Sequence, residues 1–176
     1  SITGLLVKAS ALALRRHPEI NVSFAGDVIR QYDQIDIGVA VGMEDGLITP
    51  VSRGCGAKTL AEISAETKAL IERARQKRLQ PNEYTGATFA ISNLGMFDVD
   101  NFIALLMPPQ AASIAVGAIR DAPVVTKGIV TAGRRMKVTL SCDHRALDGL
   151  MGAQFLKEFK RVLEHPQELV APVVKP

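Results

Sequence analysis

Ser141-Cys142-Asp143-His144-Arg145-Ala146-Leu147-Asp148-Gly149 is the stretch at which the hydrophobic periodicity of this 176-residue chain changes. Before it, apolar and polar residues alternate from Met136 to Cys142, which is typical of a β-strand with one buried face. After it, apolar residues recur every three or four positions as far as His165-Pro166, which is typical of an amphipathic helix. The stretch is therefore predicted to be a strand-to-helix turn.

His144 and Asp148 are the side chains of this turn that suggest chemistry. If the strand continues for two more residues, His144 shares the apolar parity and points inward, away from water. Such turns often carry sites, because the strand aims a side chain and the loop leaves it reachable. Structural roles fit as well: a satisfied structural histidine, Asp148 as the N-cap of the next helix, and Arg145 paired with Asp143 or Asp148. Spacing alone favours these structural roles.

The rest of the chain predicts a mixture of strands and helices. Helical stripes begin near Leu5 and after the capping box Thr59-Leu60-Ala61-Glu62. Strands are predicted at residues 22–24, 35–41, 47–51, 87–92, 111–119 and 136–142, and a hairpin that turns at Lys127-Gly128 is predicted at residues 124–130. The stretch 111–119 is almost continuously apolar, as expected for a strand buried on both faces. Together with the helix after Gly149, this pattern indicates one α/β layered domain over residues 1–176.

Composition and charge exclude several classes of function. A hydrophobic fraction of 47% and a net charge of +3 are ordinary for a globular domain and do not predict nucleic-acid binding. No apolar run is long enough to span a membrane, and His17, His144 and His165 lack the spacing of metal ligands. The two cysteines indicate a reduced compartment. The charge run at residues 73–78 is typical of a solvated helix end, with a contact to a cofactor phosphate as the alternative.

Two sets of residues together resemble a known family. His144-Arg145-Ala146-Leu147-Asp148-Gly149 fits the pattern H-R-x-x-D-G. The second set comprises Ile91-Ser92-Asn93-Leu94-Gly95-Met96-Phe97, Asn101-Phe102, Pro108-Pro109-Gln110-Ala111 and Ala115-Val116-Gly117. In this order, and over nearly the whole chain, they resemble the catalytic domain of the dihydrolipoamide acyltransferases, the E2 components of 2-oxo acid dehydrogenase complexes. The resemblance is closest to the acetyl-transferring branch, from the pyruvate dehydrogenase complex.

The resemblance implies a fold and a reaction. The fold is the chloramphenicol-acetyltransferase-like (CoA-dependent acyltransferase) fold, two layers with a mixed β-sheet and packed helices. The reaction is acetyl transfer from S-acetyldihydrolipoamide to coenzyme A, with His144 as the base, Ser92 as the oxyanion donor and Asp148 as an organiser of the turn. Ser92 also fits a strand-end serine bonded to backbone. Cys142 is expected to be a buried apolar residue, because transfer between thiols needs no acyl-enzyme.

The resemblance also implies partners. Coenzyme A is a substrate, the lipoyl group is carried on a separate lipoyl domain, and no metal is expected. The chain is expected to form a homotrimer that can assemble into a larger cage, with each site taking its histidine from one chain and its serine from a neighbour. E1 and E3 components are expected to bind through lipoyl and subunit-binding domains, which are absent here together with the N-terminal part of the catalytic domain. The expected compartment is the bacterial cytoplasm or the mitochondrial matrix. A succinyl- or branched-chain-transferring E2 and a catalytically silent scaffold of the complex core remain alternatives.

Overall fold

Helices and strands are interspersed along the chain in the computed structural model, which describes residues 1–173. The helices are α1 (Ile2–Arg16), α2 (Leu60–Arg75), α3 (Gly149–Glu164) and the short α4 (Pro166–Leu169). The strands are β1 (Val22–Phe24), β2 (Ile29–Gln31), β3 (Ile37–Val39), β4 (Val41–Met43), β5 (Gly46–Ile48), β6 (Val51–Ser52), β7 (Phe89–Asn93), β8 (Ala112–Val116), β9 (Arg120–Thr126), β10 (Ile129–Arg135) and β11 (Val138–Cys142).

A five-stranded mixed sheet with the order β11-β8-β7-β3-β6 forms one layer of the fold. Its central strands β8, β7 and β3 are parallel, and β11 and β6 pair antiparallel at the two edges. Every residue of β8 is buried, which confirms the prediction of a strand covered on both faces. Outside this sheet, β1 pairs with β2, β4 with β5, and β9 with β10. The predicted hairpin near residues 124–130 is the β9–β10 pair.

Helices pack on the sheet and enclose the core. Helices α1 and α3 contact each other and lie against β7 and β11 respectively, while α2 contacts α1 and β6. The ring centroids of Phe89 on β7 and Phe155 on α3 are 5.4 Å apart, and both side chains are fully buried. Burying each such side chain stabilises the fold by roughly 2–3 kcal/mol. The two-layer α/β architecture that the sequence predicted is thus confirmed.

Helices α2 and α3 begin and end where the sequence predicted. The capping box is formed: Thr59 Oγ1 accepts a hydrogen bond from Glu62 N at 3.3 Å, and the Glu62 carboxylate accepts one from Thr59 N at 2.7 Å. Helix α3 ends before His165, whose N–H donates to Val162 O at 3.2 Å. Within residues 1–173, none of the helices has the length and apolar character that crossing a membrane requires.

The predicted strand at residues 35–41 is divided between two sheets. Strand β3 joins the central sheet, whereas β4 pairs with β5 in a separate hairpin. Gly38 lies at the crowded point: a Cβ there would be 2.7 Å from Thr49 Cγ2 and 3.2 Å from Ala87 Cβ. Other segments therefore pack closely over Gly38. Strand β2 was not predicted, because its three residues are all exposed and show no alternation.

Candidate active site

The turn between β11 and α3 is closed by backbone hydrogen bonds. Asp143 N donates to Ala111 O at 2.8 Å, which continues the β11–β8 ladder one residue past the strand. The Asp143 carbonyl then accepts from both Ala146 N, at 3.0 Å, and Leu147 N, at 2.9 Å. The backbone that carries His144 is therefore anchored to the sheet on one side and folded on itself on the other.

His144 lies on this turn and is exposed, so the prediction that it points inward is wrong. That prediction required the alternation of β11 to continue through residue 144. The hydrogen bonds of the turn replace the ladder after Asp143, and the alternation ends there. Leu147, which is 3% exposed, is instead the turn residue that enters the core. The imidazole is consequently accessible from outside the chain.

The two residues that flank His144 bind each other. Asp143 Oδ1 accepts hydrogen bonds from Arg145 N at 3.1 Å and from Arg145 Nε at 2.9 Å, and Asp143 Oδ2 accepts one from Arg145 Nη2 at 2.7 Å. These bonds lower the pKa of Asp143 to about 2. Arg145 Cζ also lies 4.3 Å from the centroid of the Phe24 ring on β1. Of the two partners that the sequence left open for Arg145, the structure selects Asp143; Phe24 was missed, because a contact between distant segments leaves no local pattern.

Asp148 caps the helix that follows the turn. Its Oδ1 accepts a hydrogen bond from Met151 N at 2.9 Å. This is the N-cap role that the sequence indicated, and the helix dipole favours a carboxylate at this end. The cap fixes where α3 begins relative to His144.

Ser92 lies near the end of β7 and is half-buried. Phe89 and Ile91, on the other parity of the strand, are fully buried in the core. The Ser92 side chain therefore projects from the face of the sheet that lies away from the helices. A cavity of about 340 Å³ opens beside the end of the strand, with Asn93 and Arg134 in its lining.

Ser92 and His144 lie toward opposite ends of the sheet. Ser92 is level with Ala115 on β8, and Ala115 is level with Thr139 on β11, so Ser92 and Thr139 are two strands apart, roughly 10 Å. His144 follows Thr139 at a further distance of roughly 13–16 Å along the strand direction. A hydroxyl and an imidazole that serve one reacting carbon must each lie about 3 Å from the reacting atoms. One chain therefore does not bring Ser92 and His144 to a single reaction centre.

The surroundings of Cys142 fit a structural residue better than a nucleophile. Cys142 faces α3, with its Sγ 3.6 Å from the position of a Cβ built on Gly152, and burial raises the pKa of its thiol. A protonated thiol packed against a helix is a poor nucleophile, which supports an apolar role.

In the charge run at residues 73–78, Arg73 Nη1 and Nη2 donate to the Glu83 carboxylate at 3.0 and 2.5 Å. Because Arg73 is half-exposed and already paired within the chain, this contact supports the solvated helix end over a contact to a cofactor phosphate.

Comparison with known sequences matches the chain to one family. The sequence model of the family described as 2-oxoacid dehydrogenases acyltransferase (catalytic domain) matches residues 1–171. The dihydrolipoyllysine-residue acetyltransferase component of the mitochondrial pyruvate dehydrogenase complex of Schizosaccharomyces pombe is 49% identical over 174 residues, and that of Zymomonas mobilis is 44% identical over 171. Both alignments cover 97% of this chain but 36% and 39% of the relatives, so the chain spans less than half of their length.

Solved structures share the fold. The dihydrolipoamide acetyltransferase of Azotobacter vinelandii superposes with a TM-score of 0.92 at 31% identity, covering 97% of this chain and 71% of the other. A structure of the cubic core of the pyruvate dehydrogenase multienzyme complex gives the same values. A chloramphenicol acetyltransferase superposes with a TM-score of 0.59 at 16% identity, covering 93% of this chain and 78% of that one. This likeness is one of fold alone, and it confirms the chloramphenicol-acetyltransferase-like architecture.

Proposed function

Because the chain belongs to the 2-oxoacid dehydrogenase acyltransferase (catalytic domain) family, we propose that it transfers an acetyl group from S-acetyldihydrolipoamide to coenzyme A within a pyruvate dehydrogenase complex. The observation that carries this proposal is the exposed His144 on a turn that is anchored on both sides. The relatives at 49% and 44% identity are named as acetyltransferase components of that complex, which supports acetyl over a succinyl or branched-chain group.

His144 acts as the base in this proposal. A thiol with a pKa near 8.5 and an imidazole with a pKa near 6.5 can exchange a proton at neutral pH. The neutral imidazole takes the proton of the coenzyme A thiol, and the resulting thiolate sulfur forms a bond to the carbonyl carbon of the acetyl thioester. When the tetrahedral intermediate collapses, the bond to the lipoyl sulfur breaks and the imidazolium returns the proton to that sulfur.

Ser92 stabilises the negative oxygen of the intermediate in this proposal. A hydroxyl that already points at the reaction centre can donate to the oxyanion without reorganisation, which is where much of the rate gain in acyl transfer arises. In the A. vinelandii acetyltransferase, the roles of a serine, a histidine and an asparagine in the catalytic mechanism have been investigated. Ser92, His144 and Asp148 have the same spacing as those three residues, which supports the assignment. Asp148 stands where that enzyme has asparagine, and here it acts as the organiser of the turn.

Each site is shared between two chains in this proposal. The separation of Ser92 and His144 within one chain supports it, because an exposed His144 needs an oxyanion donor from elsewhere. A homotrimer with cyclic symmetry supplies three equivalent sites of this kind, and each site lies in a channel open at both ends to the two substrates. Trimers can associate further into a cage, a possibility supported by the similarity to the cubic core of a pyruvate dehydrogenase complex.

The remaining partners follow from the complex. The lipoyl group arrives on a separate lipoyl domain, and E1 and E3 components bind through domains outside residues 1–176. Relatives include a mitochondrial and a bacterial protein, which supports the mitochondrial matrix or the bacterial cytoplasm as the compartment.

A thioester-exchange assay with free dihydrolipoamide tests the function. Acetyl-coenzyme A should be the best of the acyl donors, ahead of succinyl and branched-chain thioesters. His144→Ala should lower kcat about 10²–10⁴-fold, the usual contribution of a positioned base, in a protein that stays folded.

His165→Ala is the matched control, because His165 lies at the other end of α3, roughly 24 Å away, and should leave kcat unchanged. Preference for another acyl group would replace the acetyl assignment. A parent protein that assembles but exchanges no thioester would support the silent-scaffold alternative instead.

A further inference from the structure

Three residues outside the proposed reaction surround the backbone of His144. Asp143 and Arg145 precede and follow it in the chain, and Phe24 reaches the same turn from β1. We infer that these three residues, called here the turn clamp, are positioning residues that hold the imidazole of His144 in its reactive orientation. The inference rests on the proposed function and adds residues to which that function assigns no role.

The first part of the turn clamp is a closed ring around His144. Three hydrogen bonds join Asp143 to Arg145, one from the backbone N and two from the guanidinium. The two guanidinium bonds end on different carboxylate oxygens, which is the directional, bidentate geometry that arginine and carboxylate favour. Because the bonded residues are separated by His144 alone, the ring restricts the backbone torsions of His144 itself.

The second part connects this ring to the sheet. Ala111 N donates to Val22 O at 3.2 Å, and Ala111 O accepts from Asp143 N at 2.8 Å, so Ala111 bridges β1 and the turn. Phe24 and Arg145 each lie two residues beyond these bonds, and there the guanidinium stacks on the ring at 4.3 Å. Strand β1 is in turn paired with β2 through Phe24 and Ile29. The turn is thereby held against a second, separately formed hairpin.

Within the turn clamp, Asp143 and Phe24 are half-buried and Arg145 is exposed, so the effect of Arg145 on the rate can be separated from its effect on folding stability. The Arg145 side chain is 64% exposed, and exposed ion pairs and cation–π contacts contribute little to the free energy of folding. A displacement of a catalytic group by about 1 Å can nevertheless lower a rate about 10²-fold. Changing Arg145 is therefore expected to lower kcat with little effect on unfolding.

Conservative substitutions test the turn clamp in the full-length protein, because each one keeps one property of the side chain and removes another. Arg145→Lys keeps the charge but loses the bidentate geometry, and Phe24→Leu keeps an apolar side chain but loses the aromatic face. Both should lower kcat about 10–100-fold with KM for coenzyme A and dihydrolipoamide within about twofold of the parent. Phe24→Trp, which restores the aromatic face, should recover kcat to within about threefold of the parent. Arg30→Lys, at an exposed arginine on the same hairpin, is the control and should leave both constants unchanged.

Hydrogen exchange supplies a readout that does not depend on activity. The amides of Ala146 and Leu147 donate to Asp143 O, so they should exchange faster in Arg145→Lys than in the parent. The melting temperature should stay within about 2 °C of the parent value, which confirms that the variant is folded.

The outcomes distinguish this inference from the proposed function. A parent without thioester exchange would overturn the proposed function. An active parent whose turn-clamp variants keep full kcat would overturn the turn clamp alone. A change confined to KM, or a fall in kcat without faster exchange at Ala146 and Leu147, would also overturn it, because Arg145 or Phe24 would then contact substrate directly.

Discussion

Mixed assembly of two inactive chains tests whether Ser92 and His144 from different subunits form one site. His144→Ala chains should retain about 10⁻²–10⁻⁴ of the parent kcat, and Ser92→Ala chains about 10⁻²–10⁻³. Each variant keeps the residue that the other lacks. If a site takes its histidine from one chain and its serine from the next, some sites in a mixed trimer contain both intact residues.

The expected recovery follows from the symmetry. A cyclic trimer with two chains of one variant and one of the other has three interfaces, and one of them joins an intact His144 to an intact Ser92. Random mixing of equal amounts makes about three quarters of the trimers mixed, so about one quarter of all sites are intact. Activity should rise to about 25% of the parent, at least about 25-fold above either variant alone. Sites built within one chain predict no rise, because no chain then carries both residues.

Co-expression of the two chains with different affinity tags, followed by tandem purification, isolates the mixed oligomers. Because purification removes trimers of a single variant, about one third of the sites in the purified trimers are intact, and their activity should rise further, to about 33% of the parent. Native mass spectrometry establishes their composition, and thioester exchange measures kcat. Mixing His144→Ala chains with chains that carry both substitutions is the matched control, because no interface then holds both residues. Activity that stays at the single-variant level in oligomers of verified mixed composition would refute the shared site.

Three further outcomes follow from the structure. Ser92→Ala should lower kcat about 10²–10³-fold in the thioester-exchange assay with KM for coenzyme A nearly unchanged, whereas an effect on KM alone would make Ser92 a ground-state binding residue. Cys142→Ser should keep kcat within a few-fold, because its thiol faces α3; loss of all activity in a folded protein would revive an acyl-cysteine route. Hydrogen bonds from Arg161 and Arg16 lower the pKa values of Glu158 and Glu168 to about 2 each. A carboxylate whose pKa is lower in the folded than in the unfolded chain stabilises the fold at pH values above its unfolded pKa of about 4.3, and this stability is lost as the pH falls. Thermal melts should therefore show stability declining from about pH 5 to pH 2. In Glu158→Gln the free energy of unfolding should be about 1–2 kcal/mol lower at neutral pH and should change less with pH. An unchanged pH dependence of stability would contradict this assignment.

The sequence by itself determined the elements whose causes are local. The alternation before Cys142 and the helical spacing after Gly149 predicted β11 and α3, because the period of apolar residues reflects which face of an element is buried. The capping box at Thr59 and Glu62 predicted the start of α2, since its hydrogen bonds join residues three apart. The motifs around Ser92 and His144 identified the family, because they are contiguous in the chain.

Only the tertiary structure decided how these residues are arranged in space. The orientation of His144 was predicted wrongly, because alternation cannot indicate where a ladder yields to the hydrogen bonds of a turn. The stacking of Arg145 on Phe24 joins segments far apart in the chain, and no periodicity encodes such a contact. The separation of Ser92 and His144 follows from strand order and register: β7 and β11 both pair with β8, but in opposite directions, so the ends that carry the two residues lie apart. Strand pairing depends on long-range packing, which is why only the folded chain showed that the two residues are not neighbours.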